Sequence, residues 1–392
     1  MRYDVGIVTT HVSPALGFGG VAVSAARLAA AWGSVSSRKI GLFSSDASAK
    51  GSISIEKVKS GLNVAVHLYH AYWFKRWGFG LGAISKLIKF CKRSRVVYLN
   101  GIATWPTTLG AIICCFYKRP FIVAPRGGLM PEHVAHIRRH KPAKWIFYRL
   151  LTFPWIKRAR ALHCMGKMEA DGAKTWLGEK MPIVIAPNGI ELPTVPSIDP
   201  PLIQDKLVLA YIGRISHEKG INTFLRGWLK ARRPGDRFLV AGAGSVGSET
   251  AYFKDFKEII TQSDGAIKYY GYLDSGEVNT LLEKSHFLVL PSGLDGDVRE
   301  NFGNAVAEAL ALGRPVIVCK GLEWDDIEAQ EAGFVFDRHS EAVADVIHRA
   351  RATKQETWIR MAQKARKYAE RHLDIRVTAE QVWNAIANVS NE

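Results

Sequence analysis

Short apolar runs alternate with amphipathic stretches along almost the whole chain, in two rounds separated by one proline-rich interruption. In the first round, Tyr3–Thr10, Lys39–Ser44, Val96–Leu99, Phe121–Ala124, Ala161–Cys164 and Ile183–Ala186 read as strands. Val21–Trp32, Lys141–Lys157 and Lys167–Trp176 read as helices among them. In the second, Leu207–Ile212, Arg237–Ala241, Ile267–Tyr270, Phe287–Leu290 and Pro315–Cys319 read as strands. Gly220–Ala231, Glu249–Gln262, Ser275–Lys284 and Ala305–Leu312 read as their helices, and the chain after Glu341 reads as helical to its end. Strands that alternate with helices form parallel sheets covered on both faces, so the pattern specifies an α/β chain of two doubly wound domains. The interruption, Pro187–Pro201, holds five prolines and reads as the linker.

Charge divides at the same place. Residues 1–190 contain 28 Lys and Arg against 7 Asp and Glu, whereas the remainder contains 25 against 29. A first half this basic implies an anionic partner. Residues 136–160 interleave Arg138, Lys144 and Arg149 with Trp145, Phe147 and Leu150, and Trp73–Phe79 is a second aromatic and basic stretch. Both resemble segments that lie on an anionic membrane surface. No nucleic-acid motif accompanies the charge, so nucleic acid is not expected. The apolar runs are too short to span a bilayer. Five cysteines, an odd number without metal-ligand spacing, suit a reducing compartment. With no signal-peptide pattern at the start, the expectation is a cytoplasmic protein, peripheral on the inner face of the cytoplasmic membrane.

Three loops at strand ends carry the chemistry. The first is Gly17-Phe18-Gly19-Gly20, where glycines let backbone approach a phosphate at a helix start. It lacks the spacing of the dinucleotide fingerprint. The second is Gly213-Arg214-Ile215-Ser216-His217-Glu218-Lys219-Gly220. Arg214 and Lys219 stand beside a helix N-terminus, where the dipole disfavours cations, and a bound diphosphate explains them. The third runs from Glu300 through Asn301, Phe302 and Gly303 to Glu308. Glu308 falls among apolar residues, where an unpaired carboxylate is costly, and Glu300 precedes a helix. Two such carboxylates suit the vicinal hydroxyls of a ribose and a hexose. His11 follows the first strand and is a candidate for the same edge. His133, His136 and His140 lie among cations and lack the acidic or cysteine partners of a metal site.

Gly213–Gly220 and Glu300–Glu308, with Ala311–Ile317 after them and Pro187-Asn188-Gly189-Ile190 before the linker, resemble the retaining glycosyltransferases of family 4, whose fold is GT-B. The resemblance implies two Rossmann-like domains facing a central cleft. Residues 1–188 would bind the acceptor, 189–203 would link, 204–370 would bind the nucleotide sugar, and 371–392 would form a helix packing back on the first domain. It implies that Arg214 and Lys219 hold the donor diphosphate, that Glu308 takes the ribose and that Glu300 contacts the sugar. Gly19 and Gly20 would reach the diphosphate, with Gly213, Asn301, Phe302 and Gly303 completing the donor site. The reaction would be front-face transfer with retention, from a UDP- or GDP-linked hexose to a glycan or a lipid-pyrophosphate-linked acceptor, without a metal or cofactor. Two departures stand out. Arg126, in Ala124-Pro125-Arg126-Gly127-Gly128, occupies the place where many members carry a histidine. This variant resembles the subgroup of exopolysaccharide and lipopolysaccharide assembly, in which Arg126 would touch an acceptor sugar or pyrophosphate. The loop Gly293–Arg299, with Asp295 and Asp297, is longer than usual.

The rivals are a nicotinamide oxidoreductase, which would need a dinucleotide fingerprint the chain lacks, a non-catalytic subunit of a polysaccharide assembly complex, and a GT-B nucleotide-sugar epimerase. Arg214, Lys219, Glu300 and Glu308 together speak against a subunit that only binds.

Overall fold

The computed structural model describes residues 2–15, 20–48, 51–60, 62–194, 206–244, 250–296 and 300–391. Gly17–Gly19, most of the linker and Asp297–Arg299 therefore lie outside the described residues. The chain forms two compact units, residues 1–191 with 375–392, and residues 192–374.

The first unit is a seven-stranded parallel sheet. Its strands are β1 (Tyr3–Thr9), β2 (Ile40–Ser45), β5 (Ala65–Tyr69), β6 (Ser94–Asn100), β7 (Phe121–Ala124), β8 (Ala161–Cys164) and β9 (Ile183–Ile185). A short antiparallel hairpin, β3 (Ala47–Ser48) with β4 (Gly51–Ser52), stands apart. The spatial order is β5-β2-β1-β6-β7-β8-β9. Side chains alternate between two cores: Val97, Leu99 and Val123 pack on one face, and Val96, Tyr98 and Ile122 on the other. Both faces are buried, which is why these strands read as continuous apolar runs. The helices are α1 (Gly20–Gly33), α2 (Ile55–Lys59), α3 (Ala83–Arg93), α4 (Trp105–Phe116), α5 (Pro131–His140), α6 (Pro142–Phe147), α7 (Phe153–Ile156) and α8 (Lys167–Leu177).

The expected single helix over 141–157 is two helices joined by a π-helical turn, Tyr148–Thr152. Pro154 has no N–H to continue an α-helical ladder through this stretch. The strands β5 and β15 (Gly333–Phe336) were not expected from the sequence. Both are edge strands with interrupted burial, so neither offers a long apolar run or a clean alternation.

The second unit holds β10 (Val208–Ile212), β11 (Arg237–Ala241), β12 (Ile267–Tyr269), β13 (Phe287–Leu290), β14 (Val316–Cys319) and β15. Its helices are α9 (Ile221–Ala231), α10 (Thr250–Thr261), α11 (Ser275–Glu283), α12 (Asn304–Ala311), α13 (Ala342–Ala352) and α14 (Gln355–His372). All strands are parallel, in the order β12-β11-β10-β13-β14-β15. The chain grows outward from β10 in one direction and from β13 in the other, so the order reverses between these two strands. In the first unit it reverses between β1 and β6. Crevices at such reversals, beyond the carboxyl ends of the strands, are where open α/β sheets bind ligands.

The last helix, α15 (Ile375–Asn391), belongs to the first unit. The boundary expected at 370/371 falls inside α14, whose Trp358, Ala362, Ala365 and Ala369 are buried and whose last residue is His372. The returning segment therefore begins at Ile375. The amide of Ile375 donates to the Ile190 carbonyl at 2.9 Å. Trp32 Nε1 donates to the Ala379 carbonyl at 2.9 Å, and the Arg38 guanidinium donates to both oxygens of Glu380 at 2.8 and 2.9 Å. Arg38 also lies 4.0 Å from the centre of the Trp383 ring. Among the described residues no helix is long and apolar enough to cross a membrane.

Trp32 is fully buried where α1 meets α15. Trp32→Ala is expected to cost about 3–5 kcal/mol, through lost burial and the cavity left behind. Urea unfolding followed by circular dichroism measures it, and a cost below about 1 kcal/mol would contradict the packing described.

Candidate active site

The site in the second unit is built where the loops after β10 and β13 meet. The chain leaves β10 through Gly213 and Arg214, makes a 3₁₀ turn over His217–Lys219, and enters α9 at Gly220. Gly220 is left-handed (φ 66°), and a Cβ there would lie 2.3 Å from the Pro291 carbonyl oxygen in the other loop. Only glycine allows so close an approach. The Gly293 amide donates to the Glu218 carbonyl at 3.1 Å and ties the loops together.

Across this seam Lys219 Nζ is hydrogen-bonded to Glu300 Oε2, each side chain being only 16% exposed. The Ser292 hydroxyl donates to the same oxygen at 3.3 Å. Burial pushes the Glu300 carboxyl up. The Lys219 charge and hydrogen bond, the Ser292 hydroxyl and the Arg214 charge together outweigh it and hold the pKa below the ordinary value. Arg214 Nη2 donates to Glu218, one helical turn away, in a more exposed pair. The Tyr211 hydroxyl fixes the Arg214 carbonyl at 2.7 Å, and burial keeps that phenol protonated. In this unliganded chain both cations already have a carboxylate. A helix N-terminus flanked by cations is therefore offset internally, and an anionic ligand would have to compete with Glu218 and Glu300.

Gly303 is left-handed (φ 79°, ψ 70°) and caps α12. Phe302 is buried against Trp324, ring centres 5.1 Å apart, and its carbonyl accepts from Trp324 Nε1. Phe302 is thus an anchor for the loop. Glu308 is half-buried: Val306, Ala307, Ala309 and Leu310 take the sheet side of α12, while Asn304 and Glu308, one turn apart, share the outer face. Asn301 and Gly213 are half-buried beside these groups in the chain.

Sequence reasoning missed the supports. Asp295 Oδ2 accepts from the Tyr252 hydroxyl at 2.6 Å, and that hydroxyl in turn accepts from the Asn222 amide at 2.9 Å, locking the longer loop to α10 and α9. Arg338, after β15, brings its Nη2 to 3.1 Å from where a Cβ on Gly293 would stand. These partners are 30 to 43 residues apart in the chain, and no local pattern marks them.

In the first unit Arg126 follows β7, and its side chain reaches Asn100 at the end of β6. Its backbone is left-handed (φ 55°). Nε donates to Asn100 Oδ1 at 2.7 Å, Nη1 to Asn188 Oδ1 at 2.6 Å and Nη2 to the Tyr98 hydroxyl at 3.1 Å. Tyr98 donates to His163 Nδ1 at 2.6 Å, because His163 Nε2 must carry the proton that the Ala186 carbonyl accepts at 2.9 Å. Burial first, then the Arg126 charge, lowers His163 to about 3, so it is neutral. Burial raises Tyr98 to about 12 against the opposing charge of Arg126. Every acceptor on the guanidinium is neutral, and two of its five N–H groups remain for a ligand. Asn100 also donates to Thr9 Oγ1 and the Val21 carbonyl, both at 3.2 Å, joining β1, β6 and α1. Gly20 is the first residue of α1. His11 is linked to Asn100 through Thr9, whose hydroxyl donates to the His11 carbonyl at 3.0 Å. It is buried against Ser45 and the Arg76 carbonyl, both at 3.3 Å, and burial lowers its pKa to about 4.

The two aromatic and basic stretches form one surface. Trp77 and Phe147 stack edge to face at 5.3 Å. Trp73 and Phe74 are 70% and 76% exposed, beside Lys75 and Arg76. Ile146, Leu150 and Leu151 are also exposed, whereas Tyr148, Phe153 and Ile156 are buried. Among the described residues no group of three or more His, Cys, Asp or Glu is placed to hold a metal ion.

Residues 206–352 match the family model described as "Glycosyl transferases group 1". An uncharacterized glycosyltransferase of Methanocaldococcus jannaschii is 26% identical over 118 residues, 29% of this chain and 27% of that relative. The chain thus spans about a quarter of the length of the curated relatives it matches. Anabaena HepE, solved with UDP and glucose, is similar with a TM-score of 0.74 at 16% identity, over 98% of this chain and 100% of that one. WaaG, a glycosyltransferase involved in lipopolysaccharide biosynthesis, is similar with a TM-score of 0.68 at 15% identity, over 97% and 99%. The fold is GT-B, two Rossmann-like α/β domains with parallel sheets, and the match to the glycosyl transferases group 1 model lies within the second unit.

The Glu300 carboxylate stabilises the fold as an anion, because its folded pKa lies below its unfolded one. That contribution is present above the ordinary carboxylate range and is lost as pH falls through the lowered value. Glu300→Gln is expected to cost about 3 kcal/mol at pH 7, by leaving Lys219 without its partner. The cost should shrink toward pH 4. Urea unfolding of both proteins across this range measures it, and a cost independent of pH would exclude the ion pair.

Proposed function

We propose that this protein is a retaining glycosyltransferase that moves a hexose from a UDP- or GDP-linked donor to a glycan or lipid-linked acceptor in cell-surface polysaccharide biosynthesis. The observation that carries the reading is the Lys219–Glu300 pair, buried at the strand-order reversal of a glycosyl transferases group 1 domain, with Arg214 beside it. Arg214 and Lys219 turn from their carboxylates to the donor diphosphate and stabilise the leaving nucleoside diphosphate. Fixed cations in a site that excludes water favour charge that develops at departure, so no metal is needed for this step. Releasing Glu300 from Lys219 frees a carboxylate for the sugar hydroxyls. Glu308, on the outer face of α12, takes the ribose.

Arg126, with N–H groups still to give and only neutral partners, takes the acceptor. Its bond to Asn100, at the carboxyl end of one of the two strands between which the first sheet reverses, supports this role. The exposed Trp73, Phe74, Ile146 and Leu150, set among cations, dock the first unit on an anionic membrane and bring a lipid-pyrophosphate acceptor within reach. WaaG, named for lipopolysaccharide biosynthesis, and HepE, solved with UDP and glucose, are consistent with this assignment of substrate class.

The test is thermal-shift binding and turnover of UDP- and GDP-sugars by the wild type, Glu308→Ala and Lys219→Ala. One donor should stabilise the wild type. Glu308→Ala should weaken its binding about tenfold or more, and Lys219→Ala should lower turnover at least a hundredfold. Activity should survive EDTA, and NMR of the first product should show the donor's anomeric configuration. A folded wild type that binds no nucleotide sugar would point to a non-catalytic subunit and sink the proposal.

A further inference from the structure

The opposite end of the first sheet carries a cluster of cations at the amino ends of four adjacent strands. Arg2 precedes β1, Arg95 is the second residue of β6, Lys118 and Arg119 precede β7, and Arg158 and Arg160 precede β8. The order β1-β6-β7-β8 sets these ends side by side, and all six cations line one open recess, with Cys114, Cys115, Pro120 and Phe121 as its remaining walls. No acidic residue lines it among the described residues.

Helix C-termini explain part of this charge. Lys118 and Arg119 follow α4, and Arg158 follows α7 and donates to the Pro154 carbonyl. Arg2, Arg95 and Arg160 sit at strand starts, where no helix dipole calls for a cation. Arg119 Nε is buried and has no hydrogen-bond partner among the described residues. Six cations about one recess repel one another, and a buried guanidinium N–H without an acceptor is costly. A multiply charged oxyanion relieves both. Guanidinium forks that converge from several strands match phosphate oxygens in particular.

We propose that this recess binds a phosphate-bearing ligand, held by Arg95, Arg119 and Arg160 with Arg2, Lys118 and Arg158 around them. It is separate from the donor site, which lies in the second unit, and from Arg126, which lies at the carboxyl ends of the same strands. The ligand is either a free di- or polyphosphate or the headgroup of an anionic lipid, and Phe116, 74% exposed at the end of α4 and 6.1 Å from the Trp155 ring, offers an apolar contact beside the rim.

The test uses the full chain, as wild type, as Arg95→Gln with Arg160→Gln (both exposed, so the fold should hold), and as Lys219→Ala. Inorganic pyrophosphate is titrated calorimetrically at low salt. Co-sedimentation is measured with phosphatidylcholine vesicles, with and without phosphatidylglycerol. Pyrophosphate binding that persists in Lys219→Ala and weakens about a hundredfold in the double variant, roughly tenfold per arginine, assigns the site to a free phosphate. Loss of phosphatidylglycerol-dependent sedimentation in the double variant, without a change for pyrophosphate, assigns it to a lipid headgroup. Equal binding of both probes by the wild type and a folded double variant overturns the proposal. So does a pyrophosphate signal that only Lys219→Ala removes when vesicle binding is also unchanged.

Discussion

The reversal of strand order between β10 and β13 is the constraint on which the second unit depends. Parallel pairing forces every connection to cross over the sheet, and growth outward from two neighbouring strands leaves their carboxyl-end loops without a helix between them. Two loops some 80 residues apart in sequence are thereby pressed together. The contact is close enough that Gly220 has no room for a Cβ against Pro291. Once the loops touch, Lys219 and Glu300 are neighbours, and burial makes each dependent on the other. The charge of the site is thus a consequence of topology as much as of composition.

Unliganded, the lysine and the carboxylate satisfy each other, with Ser292 assisting. A diphosphate takes the lysine only if the carboxylate is compensated in turn, which a hydroxylated sugar can do. On the proposed function, binding an anion and binding a sugar would be coupled through one interaction, and a bare phosphate would gain less than a nucleotide sugar. On the proposed function, burying the pair would favour the complete donor, since at a solvated surface the exchange would cost little in either direction.

The sequence showed most of the fold because both sheets are covered on both faces, so their central strands are continuous apolar runs. Its misses follow from the same rule. β5 and β15 are edge strands with half-buried residues, and Pro154 divides a segment whose apolar pattern reads as one helix. For the site, Arg214, Lys219 and Glu300 were legible because charge beside a helix start or within an apolar stretch is a local signal. What those charges pair with was not. Arg214 and Lys219 suggested a bound anion, and the protein's own Glu218 and Glu300 are their partners here. Glu308 falls among apolar residues in the sequence, and helical periodicity places it with Asn304 on the less buried face of α12. The network of Tyr98, Asn100, His163 and Asn188 about Arg126 joins four strand ends and has no signature within any one of them.

The first unit shows how one parallel sheet separates two kinds of cation. At the carboxyl ends, Arg126 is held by three side-chain acceptors, one of which, Tyr98, is oriented by a neutral histidine that itself depends on a backbone carbonyl. A positively charged His163 would repel Arg126 and would lose its hold on the Tyr98 proton, so the low pKa imposed by burial is what keeps the arrangement intact. At the amino ends six cations from four strand ends line one open recess instead. Several project from strand starts into solvent, and their number rather than their orientation sets the local field. A single preorganised guanidinium suits one ligand in one pose, whereas a ring of exposed cations suits any phosphate cluster of adequate charge. The two ends therefore differ in the specificity they can support, although both owe their positive charge to the same basic half of the chain.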